Sequence, residues 1–348
     1  MNKYDERYDI RLAKLEDIPD IMQFINDYWK KGHILSVDRE LFEYEFVYND
    51  QVNFTLALDK ITHSIEGILG YLNTSNPENE KAKDIWGSIW KVKEGNIPFL
   101  GIEILKRMKI LTQCRMELGS GVNPKTAAPI LRKVFKDTVS KMQHFYLLNK
   151  TFEEFNVAKI YSICKIPYIV NDVVEIKTVS DAEELQKFFN VNVLQDKLPY
   201  KDLWYVNKRF YQHPYYDYKV YSLKKYEDSL CSAILITKEI HVKNNKILRI
   251  VDYLGDRMLF QYLGEYLTDL IIKERYEYID FYVFGFEKQY IVNSGFKLKD
   301  ENDTNIIPNY FEPFERKNVD IWVNYPSRYK QVQFFKADAD QDRPNMIK

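Results

Sequence analysis

The sequence predicts an α/β (α+β) protein of two domains, each a mixed, mostly antiparallel sheet flanked by helices. Three observations carry this. The run KILRIVDYLGDRMLFQYLGEYLTDLIIKERYEYIDFYVFGFEKQYIVNSGF, Lys246 to Phe296, reads as strand, loop, amphipathic helix, strand, helix and a Ser-Gly-Phe turn. A fainter copy of the same order, DIWGSIWKVKEGNIPFLGIEILKRM followed by RMELGSGVNPKTAAPILRKVF, lies between Asp84 and Phe135. The repeat distance is roughly 160 residues, near the common size of a domain, and a chain of 348 residues can bury two such cores.

The first domain, residues 1–150, opens with a strand at Tyr8 to Arg11. A helix follows whose apolar face is Ile18, Ile21, Met22, Ile25 and Trp29. Phe54 to Asp59 and Ile65 to Asn73 alternate as two antiparallel strands, and the polar stretch from Asn73 to Asp84 is a loop by its turn chemistry. Ile85 to Val92 is a strand. Gly95-Asn96-Ile97-Pro98 then breaks the chain before a helix over Phe99 to Met108 with Pro98 near its first turn. Met116 to Leu118 is a short strand, Gly119, Gly121 and Asn123 form a loop, and Pro124 to Phe135 is a helix. His144 to Leu148 is expected to close the first sheet. Residues 151–170 lack periodicity and read as a linker.

The second domain, residues 171–330, begins with a strand at Val173 to Thr178 and a helix at Asp181 to Phe189 capped by Ser180 or Asp181. Strands follow at Tyr218 to Leu223, Ala233 to Val242 and Leu248 to Tyr253, with Lys243-Asn244-Asn245-Lys246 as a hairpin turn. A helix over Met258 to Glu274, a strand at Tyr278 to Phe284 and a short helix into Gly295 complete the order. Residues 331–348 read as a polar, mobile tail.

The formal charge of −1 argues against a polyanion binder, so nucleic acid is not expected as a partner. Cys114, Cys164 and Cys231 are odd in number and widely spaced, unlike a disulfide framework or a zinc site, and fit a reducing cytoplasm. The charged start MNKYDERYDIRLAK does not resemble a signal peptide, and no apolar run approaches membrane-spanning length, so no membrane insertion is expected. Asp338, Asp340 and Asp342 alternate like the opening of a calcium loop, yet no glycine turn or closing Glu follows; no metal is expected. Gly-x-Ser-x-Gly, phosphate-loop and Cys-x-x-Cys motifs are absent. Nothing in the sequence specifies an oligomeric state.

The strand and helix order resembles the GNAT superfamily of acyl-CoA N-acyltransferases, twice in tandem across nearly the whole chain. That resemblance implies an acyl-CoA co-substrate, acetyl-CoA or another, bound where the helix after the fourth strand begins. There the family carries Gln or Arg, two spacers, Gly, one spacer, then Gly or Ala. Asn96 to Gly101 occupy the place here, with Phe99 where the first Gly belongs and only Gly101 kept. Lys91, Lys93, Gly95, Asn96, Leu100, Gly101 and Asn123 are the residues this assigns to CoA. In the second domain Asp252 and Asp256 would repel a diphosphate and only Arg257 offsets them, so CoA is expected in the first domain and the acceptor in the second or between the two. The phrases DLWYVNKRFYQHPYYDYKVY, LRIVDYLGD, YIDFYVFGF, NYFEPFERKNVDI and DADQDRPN resemble GNAT-like proteins of bacterial surface-polysaccharide clusters, which implies an amino-sugar acceptor, free or nucleotide-linked.

Amine acylation needs a neutral amine, a donor for the developing oxyanion and an acid for the thiolate. Asp252, at a strand end, serves either as the base or as a cap for the helix after it; Tyr253 and Tyr282 are the nearby hydroxyls. Tyr146 stands where the family places its acid, or is simply a strand Tyr, and His33 lies in the loop that in the family usually covers the acceptor, or is an exposed loop His with no chemical role. Arg209 and His213 could grip an anionic group of the acceptor, or Arg209 pair with an internal Asp; Arg257 and Trp86 complete the substrate-facing set. Cys114 and Cys231 sit in apolar stretches, which points to direct transfer and not a thioester on the enzyme. Two rivals stand beside this reading: a Fem-type aminoacyl transferase, and a degenerate GNAT pair that binds without catalysis.

Overall fold

A computed structural model describes residues 2–79 and 82–345, so the polar loop expected between Asn73 and Asp84 and the end of the expected tail lie partly outside the described residues. The chain forms two compact units, Met1–Val139 with Asn324–Arg328 and Arg343–Lys348, and Ser140–Val323 with Tyr329–Asp342. The main strands, in chain order, are Tyr8–Lys14 (β1), Gln51–Asp59 (β2), Ile65–Asn73 (β3), Asp84–Val92 (β4), Met116–Ser120 (β5), Asp137–Lys141 (β6), Gln143–Leu148 (β7), Val174–Val179 (β8), Tyr218–Lys225 (β9), Ala233–Val242 (β10), Asn245–Gly255 (β11), Tyr278–Phe284 (β12), Lys297–Leu298 (β13), Trp322–Pro326 (β14) and Phe334–Phe335 (β15). The helices that matter below are Ile18–Phe24 (α1), Arg39–Phe46 (α2), Leu100–Thr112 (α3), Ala127–Ile130 (α4) and Gly264–Lys273 (α5).

The first sheet runs β1-β2-β3-β4-β5-β14-β6. Its strands β2 and β3 alternate large apolar residues with smaller ones, and Gly70 is required where the rings of Phe54 and Phe46 press: a Cβ there would lie 2.8 Å from Phe54. Leu100, Ile104, Leu105 and Met108 fall on one face of α3 and bury against Leu69, Tyr71 and Ile85 of the sheet. The helix ends where Gln113 turns left-handed at φ +52°. Strands β4 and β5 pair in parallel from Asp84↔Met116 to Gly87↔Gly119 and no further. Just beyond, Ile89 bulges out of the β3 ladder with φ +33°, and the register shifts between Leu69 and Gly70. A bulge bends the strand that carries it.

The second sheet runs β13-β7-β12-β11-β10-β9-β8. It repeats the same device: β11 and β12 pair in parallel only from Leu248↔Ile279 to Ile250↔Phe281, and a register shift opposite Ile236 and Thr237 leaves Val251 bulged. Helix α5 lays Leu267 and Ile271 on the apolar face built from Leu248, Ile250, Ile279 and Phe281. Past the last parallel pair, β12 takes a different partner, β15, through Val283↔Phe335 and Phe284↔Phe334. The Ala337 amide then donates to the bulged Val251 carbonyl at 2.8 Å.

Three expectations need correction. Strand β7 does not close the first sheet; it lies between β13 and β12 in the second, paired as Tyr146↔Asp280 and Phe145↔Phe281. The first sheet is extended instead by β14, from far along the chain. The stretch read as a linker is partly core, since Val157 and Ala158 are fully buried and the Asn156 and Val157 amides donate to the Glu277 carboxylate at 2.9 and 2.8 Å. The expected mobile tail is buried at Phe334, Phe335, Ala337, Asp338, Asp342 and Arg343, because its apolar residues and its charges both find partners inside. Arg343 forks onto Glu45, at 2.8 Å for Nε to Oε2.

Gly285 admits the Val332–Phe335 segment: its φ is +72° and a Cβ would stand 2.0 Å from the Val332 carbonyl oxygen. Gly285→Ala is expected to lower stability by more than about 1 kcal/mol and to expose the segment, read by thermal unfolding and limited proteolysis. Burial pushes the Asp137 carboxyl up to about 6 from an ordinary 3.8, although Asn324 donates to it at 2.8 Å. Between those values the folded protein holds a proton that the unfolded chain has lost, so this residue's contribution to stability falls as pH rises through that window. Asp137→Asn should flatten that fall in a series of melting temperatures against pH.

Candidate functional site

Past Gly87, β4 continues to Val92 without its parallel neighbour, and a cleft of about 440 Å³ opens beside it. Trp90, Val92 and Lys93 form one wall, residues 95–102 the floor, and Thr126, Ala127 and Ile130 the other wall. The floor is the entry to α3. Phe99 takes the left-handed conformation, φ +69°, immediately before the first helical residue, and its ring is 71% exposed. A backbone shape that favours glycine is thus held by a phenylalanine whose side chain turns outward. At Gly101 a Cβ would press on the Trp90 indole nitrogen at 3.1 Å, and that nitrogen donates to the Gly101 carbonyl at 3.0 Å. A thirteen-residue helix therefore begins at the cleft floor, and the partial positive charge of its first amides favours an anion there.

Of the residues assigned to CoA, Lys93, Gly95, Asn96, Leu100 and Gly101 line this cleft, while Lys91 and Asn123 do not. Lys93 and Asn96 act on the protein itself. Asn96 donates to Glu66 at 2.9 Å and accepts from the Tyr8 hydroxyl at 2.7 Å; Lys93 pairs with Glu66 at 3.0 Å and lies over the Tyr28 ring at 4.8 Å. Burial by itself would raise the Glu66 carboxyl, but hydrogen bonds from Asn96, Ser64 and Lys93 outweigh it and hold the group below its ordinary range. These two side chains pin the loop and are balanced by a carboxylate, so neither presents a free charge or amide to the cleft. Asn123 shapes the far wall, its Oδ1 accepting from the Lys125 and Thr126 amides at 2.9 and 3.2 Å. Trp90, Thr126 and Ile130 went unassigned; Trp90, two residues before Val92 on the strand that enters the loop, was the legible signal.

The equivalent wedge in the second unit is filled by the chain itself. The space left among Lys197, Pro199, Lys201, Tyr253, Gly255 and Phe335 is about 20 Å³, room for a water. Asp252, expected as a base, is fully buried; it accepts from Lys201 at 2.7 Å, from the Tyr205 hydroxyl at 3.3 Å and from the Tyr253 amide at 2.8 Å. Lys201 also pairs with Asp338 at 2.6 Å. This is an interior ion pair with no face toward a substrate.

The other expected groups are likewise committed. Tyr253 donates to the Asp256 carbonyl at 2.7 Å, and burial raises its hydroxyl well above the ordinary range. Tyr282 is buried, stacked on His144 at 3.8 Å, and donates to the Val319 carbonyl at 3.4 Å. Tyr146 donates to Asp303 at 2.7 Å and accepts from Asn305 at 2.8 Å, and burial raises it too. Arg209 is buried and donates to the Ala337 carbonyl at 3.2 Å; His213 accepts from the Tyr215 and Tyr216 amides at 3.1 Å through Nδ1. Arg257 binds the Gly285 carbonyl at 3.2 Å and Glu287 at 3.3 Å. Trp86 is 1% exposed, within the core of the first unit. His33 caps a short helix, accepting from the Leu35 amide at 3.2 Å. The structure brings none of these eight groups, nor Asp252, to the cleft.

No family model matches this sequence, and no curated protein does. Solved structures do. A GCN5-related N-acetyltransferase from Anabaena variabilis aligns with a TM-score of 0.53 at 10% identity, over 91% of this chain and 72% of that one. This is the GNAT fold. An Enterococcus faecalis protein described as a probable N-acyltransferase aligns equally well, with a TM-score of 0.53 at 11% identity, over 84% of this chain and 70% of that one. In the GNAT fold of this chain, only the first unit's wedge between parallel strands is open among the described residues.

Lys201→Met should strand Asp252 and Asp338 as uncompensated buried carboxylates and cost about 3–5 kcal/mol in chemical denaturation. An unchanged unfolding midpoint would mean that the ion pair is not a structural element.

Proposed function

We propose that this protein is an N-acyltransferase that binds acyl-CoA in the cleft of its first unit and transfers the acyl group, in the simplest case acetyl, to the amine of a small acceptor. One observation carries the reading: both units part a parallel strand pair at a bulge, and the chain fills one wedge with β15 while leaving the other open at the start of α3. A diphosphate would meet the positive end of that helix, with Phe99 turned aside and Gly101 allowing close approach; the Leu100 and Ile102 amides there already donate to the Ile97 and Phe99 carbonyls at 3.2 and 3.0 Å. The pantetheine arm would extend along the backbone edge that β4 leaves unpaired after Gly87.

Direct attack of the amine on the thioester fits the thiols. Burial pushes the Cys231 thiol up to about 12 and also raises Cys114, so both stay protonated and poorly nucleophilic at neutral pH. The acceptor is an amino sugar, free or nucleotide-linked, used in surface-polysaccharide synthesis; this finer reading rests on the phrases of the second half of the chain. Among the described residues no helix is long and apolar enough to cross a membrane, and no group of three or more His, Cys, Asp or Glu could hold a metal ion. The three widely spaced cysteines favour a reducing cytoplasm for this reaction.

Calorimetric titration with acetyl-CoA tests the assignment. Thr126 is exposed on the cleft wall, so Thr126→Glu adds a carboxylate beside the expected diphosphate without touching the core. Binding should weaken by about tenfold or more at low salt and recover in part as salt screens the repulsion. Wild-type protein that binds no CoA species, or a variant that binds equally well, would remove CoA from this cleft. Thiol release from acetyl-CoA with glucosamine-type amines then tests the acceptor class.

A further inference from the structure

The first unit holds a second cavity, of about 550 Å³, at the other end of the same sheet. Strands β3 and β4 reach the acyl-CoA cleft at the Gly67↔Val92 pair and this cavity near Asn73↔Ile85, so the two lie about 20 Å apart at the rise of a β-strand. Its opening has a local cause. The register of β1 on β2 breaks between Leu12 and Ala13, jumping from Leu12↔Thr55 to Ala13↔Val52, so that Asn53 and Phe54 have no opposite residue on β1. The bulge lies on β2, whose pairing with β1 resumes at Ala13↔Val52, and it leaves Asn53 facing the gap.

Two largely buried side chains on its wall present polar groups to the cavity. Asn53 is 4% exposed, and its side-chain amide has no partner among the described residues. Tyr71 is 1% exposed; its hydroxyl accepts from Gln51 at 2.6 Å, which leaves its own proton without an acceptor among the described residues. A nearly buried amide that keeps its donor and acceptor for an open cavity can exchange the water there for a ligand's polar groups. The set presented is an amide, which both donates and accepts, and a hydroxyl donor. Asn73 adds a further amide and Tyr48 an aromatic ring. Charges at the rim cancel, with Lys14 and Lys83 against Asp50 and Glu78.

We propose that this cavity is a binding site for a neutral saccharide, separate from the acyl-transfer site. A neutral sugar offers paired donors and acceptors at fixed spacing and an apolar face for the Tyr48 ring, whereas an anion or cation would gain nothing from a balanced rim. The cavity has room for more than one sugar ring. The inference stands whether or not the protein transfers acyl groups, because none of its lining residues belongs to the other cleft.

Saturation-transfer NMR and calorimetry on the full chain, with N,N′-diacetylchitobiose, maltotriose and glucuronic acid as probes, test it. At least one neutral probe should bind and glucuronic acid should not. Asn53→Leu keeps the shape and removes an amide with no partner, so its melting temperature should hold or rise while saccharide affinity falls about tenfold or more. Acetyl-CoA titrations should be identical in wild type and variant, which separates failure here from failure of the acyl-CoA assignment. The proposal is overturned if no neutral saccharide binds the wild type, if the variant binds as well, or if it melts lower, since that last result would give Asn53 a structural role.

Discussion

A parallel strand pair that stops after three or four residues leaves two rows of backbone amides and carbonyls with nothing opposite, and the rest of this protein is organised around how each row is met. Buried backbone groups without partners cost too much to tolerate, so an interrupted pair must either take in another strand or face solvent and ligand. The second unit takes the first course: Phe334 and Phe335 pair with β12, and Ala337 reaches the carbonyl exposed by the Val251 bulge. The first unit takes the other, and its open edge is the cleft at the head of α3.

Filling the second wedge brings charge into the interior. The segment after β15 carries Lys336, Asp338 and Asp342, all buried, and each is answered: Asp338 by Lys201, Asp342 by Lys238 and the Tyr218 hydroxyl, Lys336 by the Gln341 carbonyl. Burial still pushes the Lys336 ammonium down to about 7. Such pairs add little net stability against an apolar alternative, but a segment inserted in the wrong register would bury charges with no counterpart. In the observed register Asp338 meets Lys201 and Asp342 meets Lys238, so neither buried carboxylate is left alone.

Much of this was legible in the chain. The strand and helix order came through because period-two and period-3.6 patterns survive even where family residues do not, and the loop from Gly95 to Gly101 was found from its turn residues. What stayed hidden depends on long-range pairing. Nothing local in His144 to Leu148 says which sheet it joins, since every strand alternates alike; Tyr278 to Phe284, some 130 residues on by the numbering, supplies the answer. Asp252 looked catalytic because a strand-end carboxylate in a loop resembles an open one, and only Lys201 and Asp338 reveal it as interior. The aspartates of the last segment read as solvated for the same reason: their cationic partners are distant in sequence.

The traffic of strands also has a temporal side. A ribosome emitting this chain releases β1 to β6 early, yet the sheet they belong to lacks β14 until residues 322–326 emerge. The nascent first unit must therefore wait with a gap between β5 and β6 while most of the second is made. A chaperone that shields an unfilled sheet edge would find its client in that interval.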